Sequence, residues 1–174
     1  KKNKRILPWR ELENNNLQNP YNIFVSEFML QQTTVNTVVK KFVKFVNLWP
    51  SINILSKISE NRILKFWSGL GYYNRARNLL AASKIINKQY KNIIPNSYND
   101  LITLPGVGDY TAKAIMGIAF NMPVMPIDAN IERIIARINA INYPIKDSKK
   151  KIRIIASSYI SKNSSSDLIQ AFMD

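Results

Sequence analysis

Residues 104–112 read Leu-Pro-Gly-Val-Gly-Asp-Tyr-Thr-Ala, and this stretch limits the fold more than any other part of the chain. Pro105 cannot continue a preceding helix, because its ring clashes with the helical turn before it. Gly106 and Gly108 allow a positive φ, so the chain can reverse sharply. Asp109 then stands where a helix N-cap is expected, and small helix-forming residues follow it. The stretch predicts two helices joined by a glycine hairpin.

Such a hairpin points backbone N–H groups outward at a helix N-terminus, where they suit a phosphate oxygen. An ordinary turn between two helices is the alternative interpretation of a lone Gly-x-Gly. Other parts of the sequence are needed to distinguish a phosphate-binding hairpin from an ordinary turn.

The whole chain shows the helical period of about 3.6 residues, and no segment alternates as a half-buried strand would. The predicted helices are roughly 21–33, 35–48, 52–58, 60–67, 74–91, 98–104, 111–119, 130–141, 149–162 and 166–174. Residues 121–127 are apolar, but two prolines make them a linker instead of a strand. The predicted fold class is all-α.

Lysine and arginine together number 25 against 11 acidic residues, which gives a formal net charge of +14. This excess favours a polyanionic partner, with nucleic acid ahead of a membrane surface. The abundance of Ile, Asn and Lys indicates an AT-rich genome, so mutational bias accounts for part of the charge. No apolar run of about 18 residues and no signal peptide is found, so we expect no membrane anchor and a cytoplasmic, nucleoid-associated protein.

The chain contains no cysteine and no histidine. A disulfide or a thiolate metal site made by these residues is therefore excluded, and the most common general base is absent. Catalysis would have to use Asp, Glu, Tyr, Lys, Ser or Thr. Because the sequence begins without methionine and stops inside a predicted helix, we expect it to be a piece of a longer protein.

Glu27 falls on the apolar face of its predicted helix, between Ile23 and Leu30. A carboxyl that points into a core is costly unless it is paired or kept protonated by a raised pKa. A protonated carboxyl of this kind is a natural general acid. A buried structural salt bridge to Arg75 or Arg77 is the alternative, with equal weight.

Asp128 is the second candidate acid, and it precedes a predicted helix. It can simply be the N-cap of that helix. A carboxylate there can also face a developing cation. Glycosidic bond cleavage uses two such carboxyls, one to protonate the leaving group and one to stabilise an oxocarbenium-like centre. The spacing in the sequence does not show whether Glu27 and Asp128 meet.

Two further stretches suit nucleic acid. Residues 69–77 form a second glycine hinge followed by tyrosines and arginines, which fits base stacking and phosphate contact. A core tyrosine pair beside solvated arginines explains the same pattern. Residues 31–34 supply amides and hydroxyls that can pair with base edges, or form an ordinary polar helix end.

Taken in chain order, five stretches resemble the helix-hairpin-helix DNA glycosylases, and most of all the adenine glycosylases of the MutY type, which remove adenine mispaired with guanine or 8-oxoguanine. The stretches are 7–10, 26–33, 67–78, 104–108 and 127–130, and the resemblance covers about residues 7–138. It implies a six-helix barrel domain over 20–127 that contains the helix-hairpin-helix at about 100–119. It also implies a second helical domain, incomplete here, built from 1–19 and 128–174.

The resemblance implies that Glu27 protonates the flipped adenine and that Asp128 stabilises the sugar cation, with Tyr110 and Asn130 as supporting active-site residues. The hairpin would grip phosphates, with a monovalent cation on its carbonyls. Gln32, Thr33 and Tyr72 would surround the opposing guanine, and Arg10 would lie near the adenine pocket. The residues expected to contact DNA are Arg10, Leu30, Gln31, Gln32, Thr33, Tyr72, Arg75, Arg77, Gly106, Val107, Gly108, Tyr110 and Thr111.

Members of this family that also cut the strand use a lysine two residues after the second hairpin glycine as a Schiff-base nucleophile. Tyr110 occupies that position, so the resemblance implies base removal without strand cleavage. Lys113, almost one turn further on, is expected to face phosphate or solvent. The implied partner is double-stranded DNA with a mispaired adenine, bound by a monomer.

The sequence departs from the family pattern in three places. The family usually carries an iron–sulfur (4Fe-4S) cluster on cysteines that would lie after Asp174, so the cluster is in a continuation or absent. The family's C-terminal domain for 8-oxoguanine is missing as well. Ala129 stands where glycine is common, and thymine-mismatch glycosylases of the same fold share this feature. A thymine- or uracil-mismatch glycosylase and a non-catalytic DNA-binding fragment therefore remain alternatives.

Overall fold

The structure is a computed structural model that describes residues 5–12, 17–160 and 165–174. These ranges form one short 3-10 helix and ten α-helices and contain no strand, so the all-α prediction is confirmed. The 3-10 helix is Pro8–Arg10, and the α-helices are α1 (Pro20–Leu30), α2 (Val35–Leu48), α3 (Ile52–Leu55), α4 (Glu60–Trp67), α5 (Asn74–Gln89), α6 (Tyr98–Leu101), α7 (Asp109–Ala119), α8 (Ala129–Ile138), α9 (Ile145–Ser158) and α10 (Ser165–Met173). Across the described ranges, no helix has the length and apolar character needed to cross a membrane.

Side-chain caps explain where several helices begin. The Asn19 side chain accepts hydrogen bonds from the backbone N–H groups of Tyr21 (2.8 Å) and Asn22 (3.2 Å), and Pro20 follows it as the first helical residue. Serines cap α3, α4 and α6 in the same way. Each such cap stabilises a helix by about 1 kcal/mol.

Several helix boundaries differ from the predicted ones: α3, α6, α8 and α9 each end three or four residues early, and two further differences have a clear local cause. Helix α1 ends at Leu30 and not near residue 33, because Gln32 adopts a left-handed backbone with φ of 53°. Helix α9 begins at Ile145, before the predicted residue 149, and directly after Pro144, which cannot continue a preceding helix. Neither change moves a helix to another place in the chain order.

The hairpin also differs in detail from the prediction. Gly106 takes a positive φ of 78°, but Gly108 does not, with φ of −94°. Gly108 is the N-cap of α7, and Asp109 is its first helical residue. The Asp109 carboxylate pairs with Lys113 one turn later, at 2.8 Å, so it stabilises the helix end without capping it.

An aromatic cluster forms the centre of the core between α2 and α4. The Phe45 ring packs edge-to-face on Trp49 (centroids 4.8 Å apart) and on Phe66 (5.4 Å), and Trp67 is completely buried beside them. Edge-to-face pairs of this kind add about 0.5–1.5 kcal/mol each to the burial of apolar surface. This core gives α1, α4 and α5 a rigid base.

Helix α1 lies at the centre of the molecule and contacts α2, α5 and α7. Helix α7 in turn packs on α10, and α8 packs on α9 and α10. The approach of α10 to α7 requires Gly117, because a Cβ there would overlap the Ile169 side chain. Residues 20–127 contain seven helices, α1 to α7, as the predicted ranges do, and α3 and α6 are the short ones. The six-helix barrel implied by the resemblance stays a prediction. The division into two domains stays a prediction.

Candidate active site

A cleft of about 990 Å³ opens where α1, α7, α8 and α10 meet. Glu27 from α1, Tyr110 from α7, and Asp128 and Asn130 at the start of α8 line it together. The opposite part of its lining comes from residues 31–33 and from Tyr72. The structure therefore brings together all four predicted catalytic residues.

Glu27 is 6% exposed and belongs to the buried face of α1. Within the described part of the chain, no group donates a hydrogen bond to its carboxyl. Burial raises the pKa of Glu27 from its usual 4.5 to about 7; the positive charge of Arg10 opposes this shift and the negative charge of Asp128 adds to it. At neutral pH Glu27 is therefore divided between its protonated and ionised forms, as a general acid that later acts as a base requires.

The salt-bridge alternative for Glu27 is wrong. Arg77 pairs with Glu60 on the surface, with an N–O distance of 2.8 Å. Arg75 is 6% exposed, and its guanidinium donates to backbone carbonyls, among them that of Met29 at 2.7 Å. Neither arginine neutralises Glu27.

Asp128 combines the two roles that the sequence left open. Its Oδ1 atom accepts the backbone N–H of Ile131 at 2.8 Å and so caps α8. Its Oδ2 atom lies 3.4 Å from the side-chain nitrogen of Asn130, and both residues line the cleft. The carboxylate is thus held by its own helix while its residue borders the cleft.

Tyr110 lies in the first turn of α7, next to both acids. Burial raises the pKa of its phenol above the ordinary range, and the nearby charges of Glu27 and Asp128 raise it further. The hydroxyl therefore stays neutral and remains a hydrogen-bond donor inside the cleft.

Arg10 reaches the cleft from the 3-10 helix and is 9% exposed. Its Nη1 atom donates to both carboxylate oxygens of Asp174, at 2.7 and 3.0 Å, and the Nε atom of Arg5 donates to the same carboxylate at 2.9 Å. Burial raises the pKa of Asp174, but these hydrogen bonds lower it more, and the net shift is downward. Sequence reasoning missed Asp174, because no local pattern connects two residues at opposite ends of a chain.

Residues 31–33 and Tyr72, which ends the glycine turn 69–72, line another part of the cleft. Gln32 and Tyr72 are exposed, and both have a positive φ, of 53° and 46°. A non-glycine residue in this conformation costs about 1–2 kcal/mol and tends to mark a functional site. Leu30, Gln31 and Thr33 are half-buried beside them.

The two arginines of α5 lie in different surroundings. The contacts that bury Arg75 occupy the groups it would need for DNA, so its predicted DNA contact is replaced by contacts within the protein. Arg77 is half exposed and lies outside the cleft lining, where its contact with DNA stays a prediction.

The hairpin backbone is fixed by its neighbours. A Cβ at Gly106 would lie 2.7 Å from Asn78 Cβ and 2.8 Å from Phe28 Cε1, so only glycine fits there. The Gln31 amide donates to the Gly106 carbonyl at 3.2 Å. Val107 and Thr111 are buried, which leaves the first-turn N–H groups of α7, not these side chains, as the groups able to meet a phosphate.

The residues present do not fit an iron–sulfur cluster. The 174 residues include no cysteine, and the described ones contain no group of three acidic residues that could hold a metal ion. Thiolates are the usual ligands of such clusters.

Known proteins are similar to this chain in sequence and in fold. Residues 25–162 match the family model described as HhH-GPD superfamily base excision DNA repair protein. Two curated relatives are adenine DNA glycosylases of Buchnera aphidicola, one from the subspecies Baizongia pistaciae (43% identical, covering 80% of this chain and 38% of the relative) and one from Acyrthosiphon pisum (38% identical, covering 100% and 49%). A solved thermostable thymine-DNA glycosylase is 27% identical, with a TM-score of 0.83 over 99% of this chain and 78% of that one.

The chain spans less than half the length of both Buchnera relatives. The family match covers most of the chain and includes the hairpin, Glu27 and Asp128. The resemblance predicted from the five sequence stretches is thus confirmed, and the chain belongs to the HhH-GPD superfamily of base excision DNA repair proteins.

Proposed function

We propose that this chain is the catalytic part of a monofunctional adenine DNA glycosylase that acts on adenine mispaired with guanine or 8-oxoguanine. The observation that carries the proposal is a buried carboxyl, Glu27, with its pKa raised to about 7, facing a second carboxylate, Asp128, in one cleft. The two adenine DNA glycosylases of Buchnera support the choice of base.

The two carboxyls divide the work of breaking the bond between adenine and deoxyribose. Protonated Glu27 gives its proton to a ring nitrogen of adenine, so that the bonding electron pair leaves with a neutral base. The Asp128 carboxylate stabilises the positive charge that develops on the sugar. A water molecule then adds to the sugar carbon, and ionised Glu27 takes the proton that this water loses.

Tyr110 and Asn130 support these steps. The neutral Tyr110 hydroxyl lies within the electrostatic reach of both acids and can donate a hydrogen bond to either one. The Asn130 amide is 3.4 Å from Asp128 and orients its free oxygen. Arg10, held by Asp174, places a positive charge near Glu27 that favours its ionised form after proton transfer.

The DNA would be held by its backbone and read near the mispair. The hairpin N–H groups meet phosphates, with a monovalent cation on the hairpin carbonyls, and the net charge of +14 attracts the duplex. The adenine must leave the base stack to reach the cleft. Gln32, Thr33 and Tyr72 then occupy the space around the opposing guanine. The protein would act as a monomer and work at the nucleoid.

The lining of the cleft supports base removal without strand cleavage. The described residues that line it include arginines but no lysine, and Tyr110 takes the position of the family's lysine nucleophile. The Lys113 ammonium is paired with Asp109 at 2.8 Å on the hairpin surface. Among the residues that the structure describes, no amine is therefore placed to attack the sugar.

Single-turnover release of adenine from a duplex with adenine opposite 8-oxoguanine tests this function in the full-length protein. We expect release from this duplex and from one with adenine opposite guanine, and no covalent adduct after borohydride treatment. A trapped adduct would refute the monofunctional assignment. Binding without release of any base would instead favour a non-catalytic DNA-binding fragment.

A thymine-mismatch glycosylase is the second candidate, supported by the solved thymine-DNA glycosylase and by Ala129 between Asp128 and Asn130. A duplex with thymine opposite guanine distinguishes the two. Faster release of thymine than of adenine would identify the chain as a thymine-mismatch glycosylase and refute the adenine assignment.

A further inference from the structure

One side chain, that of Arg75, forms hydrogen bonds to the backbone at or next to both segments 31–33 and 69–72. The Nη1 atom of Arg75 donates to the carbonyls of Met29 (2.7 Å), Phe28 (3.3 Å) and Gln31. Its Nη2 atom donates to the carbonyls of Leu70 (2.8 Å) and Gly71 (3.1 Å). One guanidinium thus joins the end of α1 to the glycine turn before α5.

Arg75 is a buried cation without a partner acid. No carboxylate of the described residues lies within salt-bridge distance, and the Nε atom is buried without a hydrogen-bond partner. The carbonyls at the negative end of the α1 dipole compensate its charge, and the rings of Trp67 and Tyr72 each lie 5.6 Å from its guanidinium carbon. A buried charge with an unsatisfied group is costly, which calls for a specific reason to retain it.

Gln32 and Tyr72, two of the exposed residues with a positive φ, lie directly beside the carbonyls that Arg75 holds. Gln32 follows Gln31, and Tyr72 follows Gly71. Such conformations persist only where the surrounding structure enforces them. Two direct bonds add to this restraint: the Thr33 hydroxyl donates to the Leu70 carbonyl at 3.4 Å, and the Trp67 indole to the Gly71 carbonyl at 3.2 Å.

We propose that Arg75 is a positioning residue that holds segments 31–33 and 69–72 at a fixed separation, so that Gln32 and Tyr72 enter the duplex as one preformed unit around the opposing base. The proposal rests on the function proposed above, because it assumes that these residues contact DNA. Arg75 itself touches no DNA. Its effect passes through the backbone of the two segments.

Arg75→Lys tests the proposal, because lysine keeps the charge but cannot reproduce the planar fork that reaches both segments. We would place 2-aminopurine next to the opposing guanine, where its fluorescence rises when the neighbouring base is unstacked. In Arg75→Lys we expect most of this rise to be lost. We also expect release of adenine opposite 8-oxoguanine to slow about tenfold or more, with binding to a fully paired duplex unchanged.

Two further variants separate positioning from general stability. Ile86→Val shortens a fully buried side chain elsewhere on α5, and it should lower the melting temperature while the fluorescence rise stays complete. Trp67→Phe removes the indole bond to Gly71 but keeps a ring beneath the guanidinium, and it should lose part of the rise. Both results support the proposal, whether or not Arg75→Lys folds well.

Three outcomes would overturn it. A full fluorescence rise in Arg75→Lys refutes the positioning role. The proposed function is not affected by that result, because the wild type still releases adenine from the mispair. An equal loss in Ile86→Val assigns the effect to stability. A wild-type protein that shows neither a fluorescence rise nor base release on any mispair refutes the proposed function, and the positioning role with it.

Discussion

The hairpin at 104–112 and the cleft around Glu27 lie on adjoining elements, but they use different parts of the chain. The hairpin presents backbone: Val107 and Thr111 are buried, Gly106 admits no side chain, and the free groups are N–H groups of the α7 N-terminus. The cleft presents side chains, and the central one, Glu27, is buried with no hydrogen-bond donor from the described residues.

This difference separates the binding of the DNA backbone from the chemistry of base removal. A backbone site binds any phosphate and carries no information about the bases. A buried carboxyl does not contribute to the binding of a fully paired duplex. Its raised pKa, however, suits proton transfer near pH 7. Variants of the two regions should therefore give opposite results in binding and in base release.

The largest effect is expected for Glu27→Gln. Glutamine has the same shape and resembles the protonated acid, but it cannot give up a proton. Release of adenine should slow by roughly 10²-fold or more, while binding to the mispaired duplex stays unchanged, as measured by single-turnover kinetics and by titration.

Glu60→Gln is the matched control. Glu60 is exposed, pairs with Arg77 and lies outside the cleft, so this exchange should leave base release unchanged. Release at a wild-type rate by Glu27→Gln would show that the cleft does not depend on this acid.

The same variant should change how stability depends on pH. Because the native pKa of Glu27, about 7, lies above the ordinary value of 4.5, the native state keeps a proton that the unfolded chain releases between these values. The free energy of unfolding should therefore fall as pH rises from 4.5 to 7, by about 3 kcal/mol from this residue. Urea unfolding of wild type and Glu27→Gln at several pH values measures this difference, and parallel curves would contradict it.

Asp128→Asn should have the next largest effect. Asparagine caps a helix as well as aspartate does, so its oxygen can still accept the Ile131 N–H and the melting temperature should not change. The charge that faces the sugar is lost, and base release should slow about ten- to hundredfold. A fall in stability without a fall in rate would show that Asp128 is only a cap.

The sequence predicted those parts of the molecule that depend on local rules. The all-α class follows from the helical period, and the start of α1 follows from Asn19 and Pro20. Glu27 stood out because an acid on an apolar helix face is costly wherever the helix packs. Asp128 was recognisable as a cap from its neighbours alone.

What the sequence could not give depends on contacts between distant residues. The Arg10–Asp174 pair joins the two ends of the chain, and the contacts of Arg75 depend on how α5 approaches the end of α1. An arginine beside tyrosines has the same pattern whether it contacts phosphate or backbone carbonyls. Gly106 and Gly108 likewise looked equivalent, although only Gly106 has a positive φ.

The two hairpin glycines give the last and smallest test of the comparison. Gly106→Ala would have to accept a positive φ and contacts below 3 Å, so it should destabilise the fold by about 1–3 kcal/mol and weaken binding indirectly.

Gly108→Ala is the matched variant, because its φ of −94° suits alanine and no atom of the described residues lies within 4 Å of the added Cβ. Its melting temperature should equal that of the wild type. The added methyl group, however, prevents a phosphate from approaching the backbone at residue 108 closely. We expect binding to weaken several-fold, up to about tenfold, for paired and mispaired duplexes alike, because a phosphate contact carries no base information. Weaker binding confined to one mispair would place the bases, and not the backbone, against the hairpin.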